Sequence, residues 1–379
     1  DELNILSCMT AHMMGAKHTI ARIRDVDYAR QNHFYKDKLG LSMIINPELA
    51  TALEIFRLLR FPLATRVETF ARGRAELVQI NVRDESPLIG HSLIEMNQDM
   101  GINLLICAIV RDGEAFVPKG NTVISRGDIL YMTGAADEFR KSFKKIKLPV
   151  KPLQSVMIAG GGRIAYYLAE AVLEQGAKVT LIEKNKAMAT ELSEAVEGIN
   201  VVCDDALAYF DSMSQSDIEN TDAFITITDN DEYNLVAAMY GESQGISKVI
   251  SRIAAKSRLK VLPEGSKICT ISREDVAADR ILGYSRSLLN AEDNDAVDSL
   301  YRLMDGRLEI IEIKVDDRDL NLNTPLKDLR MKQNMLIGCI IRDFRIIIPR
   351  GDDVILPGDT VLVAVIDRQI ARLEDIFAS

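Results

Sequence analysis

Asp1-Glu2-Leu3-Asn4 recurs as Asp231-Glu232-Tyr233-Asn234, and the match runs without a gap through Gly15 and Gly245 to Arg22-Ile23 and Arg252-Ile253, a constant offset of 230. A second block, Arg-Asp-x5-Pro-x-Gly-x6-Gly-Asp, reads Arg111, Asp112, Pro118, Gly120, Gly127, Asp128 in one copy. In the other it reads Arg342, Asp343, Pro349, Gly351, Gly358, Asp359, an offset of 231. Two blocks in the same order at nearly the same spacing indicate a duplicated two-part unit. The chain must therefore fold as something that can be built twice, with an N-type and a C-type part in each copy.

The second N-type part is complete. Gln154 to Gly160 has the texture of a buried strand, Arg163 to Gln175 of a helix and Lys178 to Glu183 of the next strand. Further strands are expected at Ile199 to Cys203, Ala223 to Thr228 and Lys248 to Ile253, with helices between them. That alternation predicts an α/β, Rossmann-like doubly wound parallel sheet. Ser272 to Asn290 then predicts a helix, after which Leu308 to Val315, Met335 to Arg342, Arg345 to Pro349 and Thr360 to Ile366 predict short strands with Gly and Pro turns, a small α+β domain. The first copy shows the same C-type texture from Ala75 to Lys147. Its N-type part starts at the equivalent of Asp231, so by the offset roughly 75 residues have no counterpart and the first Rossmann copy is expected to be incomplete. Four domains are expected: 1–65, an N-type remnant; 66–150, the first C-type domain; 151–291, the complete N-type domain; and 292–379, the second C-type domain.

Composition narrows the function. A formal net charge of -10 argues against a nucleic-acid partner, because phosphate neutralisation needs a concentrated excess of Lys and Arg. The basic run from Arg140 to Lys151 lies between the copies and is expected to be a solvated linker. Cys8, Cys107, Cys203, Cys269 and Cys339 are odd in number and scattered, with neither Cys-x-x-Cys spacing nor a nearby His pair, so neither a disulfide framework nor a metal site is expected. Apolar runs such as Met335 to Ile341 fall far short of the ~20 residues a bilayer span needs. Any membrane association is expected to go through a partner.

The candidate site is Ala159-Gly160-Gly161-Gly162-Arg163-Ile164-Ala165, a Gly-x-Gly-x-x-Ala sequence between an expected strand and helix. In this pattern Gly160 permits the tight turn, Gly162 lets the backbone approach a pyrophosphate, and Ala165 allows close helix–strand packing, while the helix N-terminus presents free N–H groups to the anion. Arg163 can add a guanidinium. An acid is expected about 20 residues on, and Glu183 stands there after Val179-Thr180-Leu181-Ile182. Its carboxylate accepts ribose hydroxyls and repels a 2′-phosphate, which favours NAD(H), or ATP/ADP with a free ribose, over NADP(H). Asp205 ends the third strand, where turn formation and ligand contact are both open; Asp229, Asp231 and Asn234 follow a buried strand, where helix capping and ligand contact are equally open; Arg252, ending the fifth strand, either faces the ligand or is solvated.

A dehydrogenase would share this fingerprint but needs a proton-transfer group beside the nicotinamide. His12, His18, His33 and His91 all lie in the first copy, remote from the glycine loop, so no catalytic residue is expected. An NAD-dependent oxidoreductase and a free-standing nucleotide sensor stand as alternatives.

The glycine loop with Arg163, Glu183, the Asp205 region, Thr228-Asp229-Asn230-Asp231-Glu232-Tyr233-Asn234 and Arg252 together resemble the RCK domain, also called TrkA-N, and the Arg-Asp, Pro-x-Gly, Gly-Asp block is similar to the TrkA-C domain. The resemblance covers essentially the whole chain. It implies a cytoplasmic regulatory subunit of potassium uptake, in which Rossmann domains assemble as a homo-oligomeric gating ring, dimer or tetramer, under a membrane potassium-translocation subunit of the TrkH/TrkG type. NAD(H) or ATP/ADP would shift the ring's conformation. Carried over, the ligand positions are Gly160, Gly162, Arg163, Glu183, Asp205, Asp229, Asn234 and Arg252, of which the first copy retains Asp1, Asn4 and Arg22. Members of the family usually carry Gly before the third-strand Asp; here Asp204 adds a negative charge.

Overall fold

The computed structural model describes residues 1–25, 39–71, 74–146, 152–263, 265–293, 297–303, 307–343, 345–367, 370 and 372–378, so His33 and residues 147–151 of the basic run lie outside the described residues. The chain divides into two compact units, Asp1–Pro62 with Lys151–Leu282, and Leu63–Val150 with Gly283–Ser379. Each unit thus takes one part from each copy of the repeat.

In the first unit, α1 (Glu2–Met13), β1 (Ile20–Arg22), β2 (Met43–Ile45) and α2 (Pro47–Arg60) come from the first copy. The second copy supplies β3 (Ser155–Ala159), α3 (Arg163–Glu174), β4 (Lys178–Ile182), α4 (Lys186–Ala195), β5 (Asn200–Val202), α5 (Ala206–Ser212), α6 (Gln215–Glu219), β6 (Ala223–Thr226), α7 (Asp231–Ser243), β7 (Lys248–Arg252), β8 (Cys269–Ile271) and α8 (Arg273–Asp293), the last running across the division at Leu282. Strands β5-β4-β3-β6-β7-β8 form one parallel sheet in that order. Order reverses between β3 and β6, and open α/β sheets bind ligands at the carboxyl ends of the strands flanking such a switch point.

The central strands are apolar because helices cover both faces. Ile158, Leu168 and Phe224 have no exposed surface, and each such side chain contributes about 1.5–3 kcal/mol by burial. Phe210 packs edge-on against Phe224, 4.9 Å between centroids, and against Tyr240 at 5.5 Å. Gly241 admits Phe224: a Cβ there would lie 2.6 Å from its ring. The first-copy remnant pairs β1 with β2 in parallel and lays α2 along α3. Ala50, Ala52, Ile55, Leu58 and Leu59 of α2 are buried. Ala21 and Ile23 bury with Ile5 and Leu41 of the same copy, while α2 is the element that packs against the second copy.

The second unit holds two five-stranded antiparallel sheets of identical order. One runs Ala64–Phe70, Ala75–Asn81, Ile129–Gly134, Leu105–Arg111, Glu114–Phe116, and the other Val297–Leu303, Leu308–Lys314, Thr360–Ile366, Met335–Arg342, Arg345–Ile347. Both carry a register shift at the same place, between Ile106 and Ala108 and between Ile337 and Cys339. Phe70, Leu77, Cys107 and Tyr131 share one core with Ile310, Cys339, Leu362 and Ile366, so the sheets meet face to face. Thr133 Oγ1 crosses to donate to the Gly338 carbonyl at 2.8 Å. The edge strands Ala64–Phe70 and Val297–Leu303 escaped the expectation. In the former the burial does not alternate, and a register shift between Ala64 and Arg66 breaks the period of two.

The basic run read as a linker is a correction. Its first six residues belong to a helix, Ala136–Lys145, because Phe139 and Phe143 fall on one face and are buried while Arg140, Lys141, Lys144 and Lys145 stay in solvent. Among the described residues no helix is long and apolar enough to cross a membrane.

Candidate functional site

The three glycines after β3 have three different reasons to be there. Gly160 sits at φ +108°, and a Cβ there would lie 2.9 Å from the Thr228 nitrogen and 3.0 Å from the Ile227 carbonyl carbon. Those are backbone atoms of the segment leaving β6, across the switch point, and they cannot yield. A Cβ on Gly161 would meet Leu192 Cδ1 at 2.9 Å and Glu183 Cγ at 3.0 Å. Gly162 is unlike both: its φ is -76°, nothing lies within 4 Å of an added Cβ, and it is the N-cap of α3 with no side chain to cap the helix. The fold does not require glycine at 162. Its bareness leaves the positive end of a 12-residue helix open, which is the anion site the sequence predicts.

Glu183, at the tip of β4, turns back onto this loop. Its Oε2 accepts from the Gly161 N–H and its Oε1 from the Asn185 N–H, each at 2.7 Å. Each oxygen keeps a second acceptor site for a ribose hydroxyl. Arg163 projects into solvent beside the open helix end and makes no hydrogen bond or ion pair among the described residues. Ala165 is fully buried, as close helix–sheet packing requires.

Asp205 closes the site on the β5 side. It caps α5 by accepting from Leu207 N at 3.0 Å and accepts the Tyr233 hydroxyl at 2.8 Å. Burial, and then this bond to a carboxylate, push the Tyr233 hydroxyl up to about 12. Asp204 is exposed and its Oδ1 accepts from the Asp205 N–H. Tyr233 was not singled out from sequence, although one signal marked it: the equivalent residue of the first copy is Leu3, and a hydroxyl appears only in the copy that has Asp205.

On the β6 and β7 side, Arg252 is buried, donating from Nη1 to the Thr228 carbonyl and to Asp229 Oδ1, both at 3.1 Å, while its Nε is buried without a hydrogen-bond partner. The solvated alternative for Arg252 is thereby removed. Asp229 is fully exposed at the rim. Asn234 is bound up within the fold. It has no exposed surface, its Oδ1 accepts from Thr228 N (2.9 Å) and Thr228 Oγ1 (2.7 Å), and its Nδ2 donates to the carbonyls of Thr228 (2.9 Å) and Arg252 (3.0 Å). With both donors and both acceptor sites used, it latches the Thr228 turn to the end of β7. Asn230 is the residue that caps α7, through Tyr233 N at 2.8 Å. Asp231 instead holds the segment after β7, accepting from Ala254 N, Ala255 N and Arg258.

The comparisons with known proteins join this geometry to a family. The TrkA-N domain matches residues 156–270, and the TrkA-C domain matches twice, at 77–147 and 310–378. The chain belongs to the TrkA-N/TrkA-C family. It is 27% identical over 377 residues to the Trk system potassium uptake protein TrkA homolog of Archaeoglobus fulgidus, covering 100% of this chain and 83% of that relative. To the Trk system potassium uptake protein TrkA of Vibrio alginolyticus it is 28% identical over 382 residues, covering 100% and 82%. Among solved structures, the GsuK RCK domain superposes with a TM-score of 0.53 at 15% identity over 97% of this chain and 76% of that one. The GsuK channel bound to NAD gives 0.55 at 15% over 96% and 63%. These structural likenesses speak for the fold.

The family's repeat survives as repeated hydrogen bonds. In the N-type parts, Asp1 Oδ2 accepts from Arg24 N and Asp25 N as Asp231 does from Ala254 and Ala255, and Asn4 donates to the Arg22 carbonyl as Asn234 does to that of Arg252. In the TrkA-C parts, Arg111 forks onto buried Asp128 (2.7 and 2.8 Å) and Arg342 onto buried Asp359 (2.8 and 2.8 Å). Each Arg also reaches a carbonyl, Val123 or Val354. The second sequence motif is therefore a structural clamp. Among the described residues no group of His, Cys, Asp or Glu could hold a metal ion.

Proposed function

We propose that this chain is the nucleotide-binding regulatory subunit of a potassium-uptake channel or transporter, acting by ligand-driven conformational change without catalysis. The observation that carries the nucleotide part is the uncapped start of α3 behind Gly162, with Glu183 facing the same loop. The potassium part rests on relatives that are Trk system potassium uptake proteins along the whole chain. Gly160, Gly162, Arg163, Glu183, Asp205, Asp229 and Arg252 form the ligand-binding set, supported by Ala165 and Asn234. NAD(H) is the nucleotide the Glu183 carboxylate favours, and ATP or ADP offers the same adenosine with a free ribose. A bound nucleotide would supply a pyrophosphate for the helix end and a ribose for the acid. The protein's part is to bind it and favour one arrangement of its parts over another. A homo-oligomeric ring at the inner face of the cell membrane, docked on a membrane potassium-translocation subunit of the TrkH/TrkG type, would read that change.

Calorimetric titration with NADH, NAD, NADPH, ATP and ADP tests this reading. Gly162→Asp is the decisive variant, because open space and an extended backbone accept the side chain and Asp is itself a good N-cap. It should fold, and its carboxylate would occupy the anion site. Micromolar binding of NAD(H) or ATP/ADP that Gly162→Asp abolishes, without turnover, is the expected result; no binding of any of the five nucleotides to the parent refutes it.

A further inference from the structure

The helix that opens on the glycine loop carries, one turn in, a side chain that belongs to neither the site nor the sheet. Tyr167 is buried, 7% exposed, and its hydroxyl accepts from Asn46 Nδ2 at 2.9 Å and donates to the Arg24 carbonyl at 3.4 Å. Both partners come from the first copy of the repeat. Asn46 is the N-cap of α2, its Oδ1 accepting from Leu49 N at 2.9 Å, so one amide both starts that helix and grips the tyrosine. The Arg24 segment is fixed in turn by Asp1, which receives Arg24 N and Asp25 N. Beyond the junction α2 runs along α3 and ends at Phe61 and Pro62, where the first unit ends; the Pro62 carbonyl accepts from Lys248 Nζ at the head of β7 at 3.4 Å.

We propose that Tyr167 and Asn46 couple nucleotide occupancy to the first copy of the repeat. An anion at the uncapped start of α3 acts on the turn that carries Tyr167. The Tyr167–Asn46 bond passes that change to the first turn of α2, and α2 carries it to Pro62 at the exit of the unit. Coupling of this kind needs a packed element whose state both ends bias, and α2, anchored by its cap at one end and by Lys248 at the other, is that element. The inference rests on the nucleotide-binding reading above and adds to it a pair of residues that touch no ligand.

Hydrogen exchange of the full chain, with and without the nucleotide that calorimetry shows to bind (NADH or ATP), tests it against two variants. Tyr167→Phe removes the hydroxyl and keeps the ring; Asn46→Ser keeps an N-cap and removes the amide donor. In the parent, nucleotide should slow exchange across residues 45–61 by about fivefold or more, the low end of measured couplings. Both variants should still bind nucleotide, within about tenfold of the parent because coupling is reciprocal, and should lose the response in 45–61 while keeping protection in 160–170. An undiminished response in both variants overturns the proposal, as does bound nucleotide with no response in the parent. Failure of any nucleotide to bind removes the coupling together with the reading it rests on, and calorimetry identifies that case.

Discussion

Two glycines two positions apart should fail in opposite ways when each is given a methyl group. At Gly160 the backbone has φ +108° and an added Cβ would sit 2.9–3.0 Å from the Ile227–Thr228 peptide. A non-glycine residue in so sparsely populated a conformation costs about 1–3 kcal/mol. Forcing two backbone segments apart in a packed interior costs about 1–3 kcal/mol more. Gly160→Ala should therefore lose roughly 2–6 kcal/mol, which at about 2–4 °C per kcal/mol for a unit of this size lowers its unfolding midpoint by roughly 5–20 °C. Gly162→Ala meets open space at an ordinary φ of -76° and gives up only the modest N-cap preference for Gly over Ala, about 1 kcal/mol or less. Its midpoint should fall by no more than about 4 °C, while its methyl group stands where a pyrophosphate would lie and weakens nucleotide binding. Scanning calorimetry gives the midpoints and titration the affinities. If Gly160→Ala melted with the parent while Gly162→Ala melted far earlier, the placement of the loop against the β6 exit would be wrong.

Replacing Arg342 by Ala strands Asp359, 1% exposed and left with only the Leu356 N–H, so the TrkA-C unit should lose about 2–4 kcal/mol in chemical denaturation, and Arg111→Ala should do the same through Asp128. Glu183→Gln swaps one of the two acceptors on Gly161 N and Asn185 N for a donor; nucleotide affinity should fall about tenfold to a hundredfold, the worth of a hydrogen bond to a charged group, with NADPH losing less than NADH. Tyr233 has its hydroxyl raised from 10 to about 12, first by burial and then by Asp205. The folded state holds that proton more tightly than the unfolded one, so the stabilisation is complete below pH 10 and is lost as pH rises from 10 toward 12. Burial also raises Tyr131 and Tyr167, and a bond to Asp211 raises Tyr240, so tyrosinate absorbance during alkaline titration should show several late-ionising groups, of which Tyr233→Phe removes one, near 12.

The duplication, the parallel sheet and the glycine loop were legible from sequence because each is written in local chemistry: a repeated string, a change of hydrophobic period, a strand that runs into glycines. Glu183 was legible too, because the second strand's length fixes its distance from the loop. Asn234, Arg252 and Tyr233 were not separable from sequence. Whether an Asn at the start of a helix caps it, contacts a ligand or holds a neighbouring turn depends on what stands across the sheet, and here Thr228 and Arg252 use all of its amide.

What the sequence determined alone is the inventory: which parts exist, how often, and which end of which helix is left without a cap. Tertiary structure decided the pairing. The repeat predicts two copies in series, yet the compact units join N-type to N-type and C-type to C-type across the repeat. A two-stranded remnant can bury α2 only against another helix, and it finds α3; the sheet face carrying Leu77 and Tyr131 needs an apolar partner, and it finds the like face carrying Ile310 and Leu362. Hydrophobic burial is non-directional and pays no regard to chain order, so which faces meet is settled only when the whole chain has folded.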